Sequence, residues 1–317
     1  NMNNLKKIGL TALGTAMVAS SASAATMSVS GGTSIFFGGE DNSNSGNGWS
    51  MTDQVTFSAS GEMDNGFTIS TSLQLDGAGA VGNVGPWDDR SLTIDTGDMG
   101  VLVFSGHGSS GPVGAWDDLT PSANEESWGT SIGGTVDGPT NAAAYDNGFI
   151  YDYTVSDSIA LKAAYKPAKG TPLESSTEIG IAYTGIDGLT VKAGIGSEGQ
   201  SDGKEIDHTT VGFTYAYGPA KIGYQINDED DSASGGTDLE TEIYAISFMV
   251  NDNFSISYGE HNTDKSGSTV DQEAESIQAS YSMGGMTVNV KDSSMHGVAH
   301  TATNDHETTE VILIFAF

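Results

Sequence analysis

The chain has 317 residues, 43 of them glycine and none cysteine, with 37% hydrophobic residues and a formal net charge of −31. Without cysteine there is neither a disulfide framework nor a thiolate metal site, and so negative a chain is no match for nucleic acid. No segment reaches the roughly 20 apolar residues a membrane-spanning helix needs, which excludes helical insertion.

In chain order, the first recognisable element is a leader. Met2 to Ala24 starts with Lys6 and Lys7, continues through an apolar stretch from Ile8 to Val18, and ends in Ala22-Ser23-Ala24. That is the layout of a secretory signal peptide, cleaved after Ala24. It predicts residues 25–317 as one exported domain.

Beyond it the dominant signal is strict alternation, the mark of a strand with one apolar and one polar face. Val55, Phe57 and Ala59 alternate with Thr56, Ser58 and Ser60; Phe67, Ile69, Leu73 and Leu75 alternate with Thr68, Ser70, Ser72 and Gln74. The same beat runs through Phe149–Val155, Ile159–Tyr165, Leu189–Ile195, Val211–Tyr217, Ile222–Ile226, Tyr244–Val250, Phe254–Tyr258 and Ile277–Tyr281. It closes on Val311, Leu313, Phe315 and Phe317, an apolar final strand with an aromatic end. Bacterial outer-membrane barrels end in this way, and Phe317 is read as the signal for the barrel-assembly machinery.

The connections alternate in length. Seven tight turns, at Asp64-Asn65-Gly66, Gly97 to Gly100, Ser156-Asp157-Ser158, Asp187-Gly188, Gly218-Pro219, Asn251-Asp252-Asn253 and Gly284-Gly285, use the residues that such turns require. Long polar loops lie between them, near residues 38–50, 77–89, 106–146, 167–175, 197–207, 228–239, 262–272 and 293–306. Seven short turns with both termini on one side predict sixteen strands. The fold class is therefore all-β, a transmembrane antiparallel barrel in outer-membrane lipid, whose average hydropathy is low because only alternate residues meet lipid. A secreted β-rich adhesin or structural protein also alternates, but its connections do not sort by length.

The signal peptide, the hairpin Phe57 to Phe67, the strand Leu92 to Asp95 leading into Gly97 to Gly100, the long third loop after Phe104, the strand Phe149 to Tyr153 and the terminal Phe317 together resemble the general porins, sixteen-stranded and trimeric, of alphaproteobacterial type. The resemblance implies a homotrimer, with which the small residues Gly31-Gly32 are compatible. It also implies that the third loop, residues 106–146, folds into the lumen and sets its narrowest point. The loop's acidic residues Asp117, Asp118, Glu125, Glu126 and Asp137 would then face basic residues on the wall. A helix-like piece is expected from Thr120 to Trp128, with Pro121 in its first turn.

Alternation assigns the basic wall. Lys162, Lys166, Lys192, Lys221 and Lys291 all fall in the polar register of their strands, since a lysine facing lipid at mid-membrane costs about 2 to 4 kcal/mol. Arg90, the only arginine, shares parity with Leu92 and Ile94 and belongs to the basic set as a rim residue. Porins of this kind carry a cluster of wall arginines, so a strong transverse field is in doubt here.

Acidic runs at Asn227 to Asp231, Asp238 to Glu242, Asp271 to Glu275 and Asp305 to Glu310 are read as loop residues. A mouth of one sign concentrates the opposite ion, which predicts moderate cation preference; the alternative is that these residues only solvate the surface, in a salty habitat where screening is short-ranged. No calcium-loop pattern is present. Gly194 to Gly199 matches a dinucleotide-loop spacing, but no helix follows, and it reads as a strand running into a flexible loop. His296 and His300 are four apart in a loop of Ser, Gly and Ala, a weak metal pattern. The sequence thus points away from enzyme, cofactor and metal, toward a channel for passive diffusion of small hydrophilic solutes and ions, with a solute-specific channel as the alternative.

Overall fold

A computed structural model describes residues 26–40, 48–76, 87–129, 138–139, 145–168, 174–200, 204–232 and 236–316. Sixteen strands follow one another: β1 (Thr26–Glu40), β2 (Gly48–Glu62), β3 (Thr68–Asp76), β4 (Trp87–Asp95), β5 (Val101–His107), β6 (Gly148–Ser156), β7 (Ile159–Lys166) and β8 (Ser176–Ile186) in the first half. The second half holds β9 (Leu189–Gly199), β10 (Glu205–Tyr217), β11 (Ala220–Asp231), β12 (Leu239–Asn251), β13 (Phe254–Lys265), β14 (Gln272–Met283), β15 (Met286–His296) and β16 (His306–Ala316). Every strand pairs antiparallel with its sequence neighbours, and β1 pairs with β16 from Gly32↔Ala316 to Glu40↔Thr308 to close the barrel. Closure leaves no edge, so each backbone donor and acceptor in lipid finds a partner.

The seven short connections fall where Asn, Asp and Gly mark them. Asn65 accepts from the Phe67 amide at 3.1 Å, Asp95 from Gly97 at 2.9 Å and Asn251 from Asn253 at 3.0 Å, each side chain replacing a backbone carbonyl in the turn. Gly188, with φ +74°, supplies a left-handed step that a side chain resists.

Alternation sets the two faces. Ile181, Tyr183, Phe213, Ile246, Phe248 and Ile277 stand exposed on the outside, while their neighbours turn inward. Few apolar residues are buried. Two small clusters are present: Ala274–Met295–Val298 lies against Trp128 of the third loop, and Tyr145–Ile150–Ala164, with Val103 against it, lies at that loop's root.

The strands run further outward than the apolar beat shows. Asp228 to Asp231 belong to β11, Glu240 and Glu242 to β12, Glu273 and Glu275 to β14, and Glu307 and Glu310 to β16, which corrects the reading of these runs as loops. Above the lipid both faces meet water, so the apolar contrast vanishes while the hydrogen-bond ladder continues. Gly194 to Gly199 is likewise strand to its end, within β9.

Candidate functional site

The site is the inner wall and the third loop laid along it. Among the loop's described residues Pro112–Ala115 form a helix, α1, with proline in its first turn. The expected helix from Thr120 to Trp128 is absent, and that stretch follows the wall without regular structure. Its backbone groups need no helix, because inward side chains of the wall satisfy them.

These contacts proceed strand by strand. Glu178 on β8 accepts from the Val113 amide at 2.8 Å. Gln225 on β11 accepts from the Leu119 amide at 2.7 Å and donates to the carbonyls of Trp116 at 2.9 Å and Asp117 at 2.7 Å. Ser257 on β13 accepts from Ala123 at 2.9 Å. Gln278 on β14 accepts from the amides of Asn124 at 3.1 Å and Glu125 at 3.0 Å and donates to the Glu125 carbonyl at 2.5 Å. On β15 the Lys291 ammonium stands 3.3 Å from the Glu125 carboxylate, 2.6 Å from the Glu126 carbonyl, and also donates to the Gly129 carbonyl.

Between these bonds the loop sits on glycine. A Cβ on Gly180 would lie 2.2 Å from the Trp116 ring and 2.6 Å from Pro112; on Gly212, 2.9 Å from Leu119; on Gly223, 2.6 Å from Pro121; on Gly259, 3.3 Å from Ser127. Gly180 and Gly194 are direct cross-strand partners. A track of bare backbone therefore crosses the wall and lets the loop pack flush against it. The sequence carries this signal as glycines at inward positions.

The loop hugs the β8–β15 arc and leaves space toward the opposite arc. A cavity of about 340 Å³ separates Asn124 and Glu125 from Ser34, Thr52, Gln54 and Asp76 on β1 to β3, with Ile312 and Ile314 of β16 beside them, and among the described residues no lysine or arginine lines it. Asp117 and Asp118 hang from the loop between its Gln225 bonds. Enclosure among protein atoms, together with the charge of Glu126, pushes both carboxyls up to about 6. At the loop's far root, burial and then the neighbouring Glu178 push the Tyr145 phenol above its ordinary range. Asp137 lies outside the described residues, as do Phe317 and the leader.

The basic residues do not face the loop from across the lumen. Lys162, Lys192 and Lys221 occupy inward positions on β7, β9 and β11, nearer the short turns than the loop's glycine seats. Lys162 pairs with Asp152 at 3.0 Å, and Lys192 stands 5.5 Å over the Trp116 ring. Lys166 ends β7 in the same register. Lys291, 1% exposed, lies directly beneath the loop, with Glu310 as its cross-strand partner. Arg90 is a correction to the basic wall: it pairs with outward Leu73, and its stem fills the place a Gly106 Cβ would take on the outer face beside Phe104. Arg90 shares the face of Leu92 two residues along β4, and a bulge at Gly106 on β5 sets His107 opposite it.

A closed barrel, apolar outside and polar inside, narrowed by a loop fixed within it, defines a pore-forming protein of the outer membrane. The profile of the Gram-negative porin family matches residues 9–316, and the chain belongs to that family. Among solved structures it is similar to a mutant form of Rh. blastica porin, with TM-score 0.67 and 14% identity over 92% of this chain and 100% of that one. It is also similar to OmpT, an outer membrane protein of Vibrio cholerae, with TM-score 0.71 and 12% identity over 92% and 98% of the two chains. The trimer form of that protein matches with TM-score 0.68 and 12% identity over 93% and 100%. No curated protein matches the sequence significantly.

Proposed function

We propose that the protein is a water-filled channel for passive diffusion of small hydrophilic solutes and ions, moderately cation-selective, with its size limit set between the third loop and the β1–β3 wall. The observation that carries the reading is the lining of that gap, where the carboxylates of Asp76 and Glu125 stand among hydroxyl and amide groups beside Ile312 and Ile314. Carboxylates in a bore with low-dielectric walls raise the local cation concentration. Asp117, Asp118 and Glu126 add to the same field, while Lys291 offsets Glu125. Outward carboxylates such as Glu240, Glu242, Glu273 and Glu275 act on the mouth from outside the bore.

The assembly is a homotrimer in outer-membrane lipid, folded through its C-terminal strand with Phe317, after removal of residues 2–24. The trimer form of the Vibrio cholerae relative supports the first part. Outward Asp53, paired with Thr33 between the apolar Met51 and Val55, is also poorly suited to lipid.

Reversal potential across a salt gradient in planar bilayers tests the reading. Discrete steps with a cation-positive potential are expected. Anion preference overturns the selectivity, and the absence of steps overturns the channel.

A further inference from the structure

We infer that Gln225 and Gln278 are positioning residues, two side-chain clamps that hold the loop's carboxylates at fixed places in the bore and thereby set selectivity and quiet conduction. The inference rests on the channel reading. Both glutamines are buried, at 0% and 2% exposure, and both tie wall side chains to the backbone of an irregular segment. The Gln225 amide nitrogen lies within donating distance of the Trp116 and Asp117 carbonyls and of the wall acceptors Asn227 and Thr210, and its oxygen accepts from Leu119. Gln278 brackets Glu125 from both sides, accepting from its N–H and donating to its carbonyl, as a neighbouring strand would. An amide is the neutral side chain that offers donor and acceptor on one rigid plane.

The two clamps divide the work. Asp117 lies inside the Gln225 grip, and Asp118 is flanked by it. Glu125 is held by Gln278, with Glu126 carried beside it on Lys291. Glu178, Ser257 and Lys291 attach the loop elsewhere, so losing one clamp loosens one pair of carboxylates without releasing the loop. A loosened pair samples several distances from the β1–β3 wall, which a recorded current reads as substates.

Gln278→Glu separates positioning from simple structural support. A protonated carboxyl keeps an acceptor and a donor and mimics the amide; an ionised one cannot donate to the Glu125 carbonyl and repels the Glu125 side chain. Single channels of the full protein would be recorded at about pH 8 and about pH 5, either side of carboxyl titration in such surroundings. Wild type should be quiet at both. Gln278→Glu should show substates at the higher pH and match wild type at the lower. Gln278→Leu and Gln225→Leu should be noisy at both, with heat-modified mobility in gels reporting an intact barrel. Glutamate and leucine variants identical to wild type in noise and potential would overturn the clamps while leaving the channel standing. A wild type without steps would instead remove the channel reading itself.

Discussion

Lys291 and Glu125 meet at the seam between wall and loop, 3.3 Å apart, with the lysine almost wholly enclosed and the glutamate reaching the bore. The pair fixes the loop and neutralises part of its charge. Lys291→Met keeps the stem's volume and removes the ammonium from Glu125 and from two loop carbonyls. Hydrogen bonds to a charged group contribute about 1.5 to 3 kcal/mol each when buried; with the Glu125 contact discounted for its partial exposure, a loss of about 3 to 5 kcal/mol is expected. The variant should lose heat resistance in gel assays and become more cation-selective, because Glu125 is left unopposed. A reversal potential moving toward anions would contradict the placement.

Asp117 and Asp118 make selectivity depend on pH. Their carboxyls, raised to about 6 by enclosure and by Glu126, are neutral below that value and charged above it. Cation preference should therefore be full above pH 7 and fall as pH drops through 6. The reversal potential of Asp117→Asn/Asp118→Asn should stay flat over that interval. For stability the sign runs the other way: an unfolded aspartyl ionises near 3.8 and the folded one near 6, so the folded state holds extra protons between these values and loses stability as pH rises through them.

The glycine track predicts a sharp local contrast. Gly180→Val places two methyl groups where the Trp116 ring and Pro112 lie, whereas Gly61→Ala meets nothing within 4 Å. Overpacking of this kind costs about 1 to 3 kcal/mol. The loop should yield by swinging Trp116 into the bore, lowering single-channel conductance as well as heat resistance. Gly61→Ala should leave conductance at the wild-type value.

Strand count, turns and the two faces were legible because lipid on one side and water on the other impose a contrast at every second residue. Phe213 beside Gly212, or Ile222 beside Lys221, reads directly. Two kinds of feature were not. Where β11 and β14 rise above the lipid, both faces are polar and the beat is silent, so Asp230 and Glu273 looked like loop. The course of the third loop depends on partners more than 100 residues away, such as Gln225 for Trp116 and Gln278 for Glu125, and no local period records them. Pro121 resembled a helix start because its neighbours' backbone partners lie on another strand.

The facing of the wall gives the last test. Ile246 points outward between Ile222 and Tyr258 near the middle of β12, and Ser72 points inward between Ser58 and Ser91 on the arc the loop leaves open. Ile246→Lys puts an ammonium into hydrocarbon at a cost of about 2 to 4 kcal/mol, so its folding into bilayers should be impaired, with selectivity of the folded fraction unchanged. Ser72→Lys puts the same charge into water. It should fold normally and shift the reversal potential toward anions, because it adds a cation to a stretch of bore that has none among its described neighbours. An exchange of the two phenotypes would mean that the polar face is the one turned to lipid, and the channel could not exist as drawn.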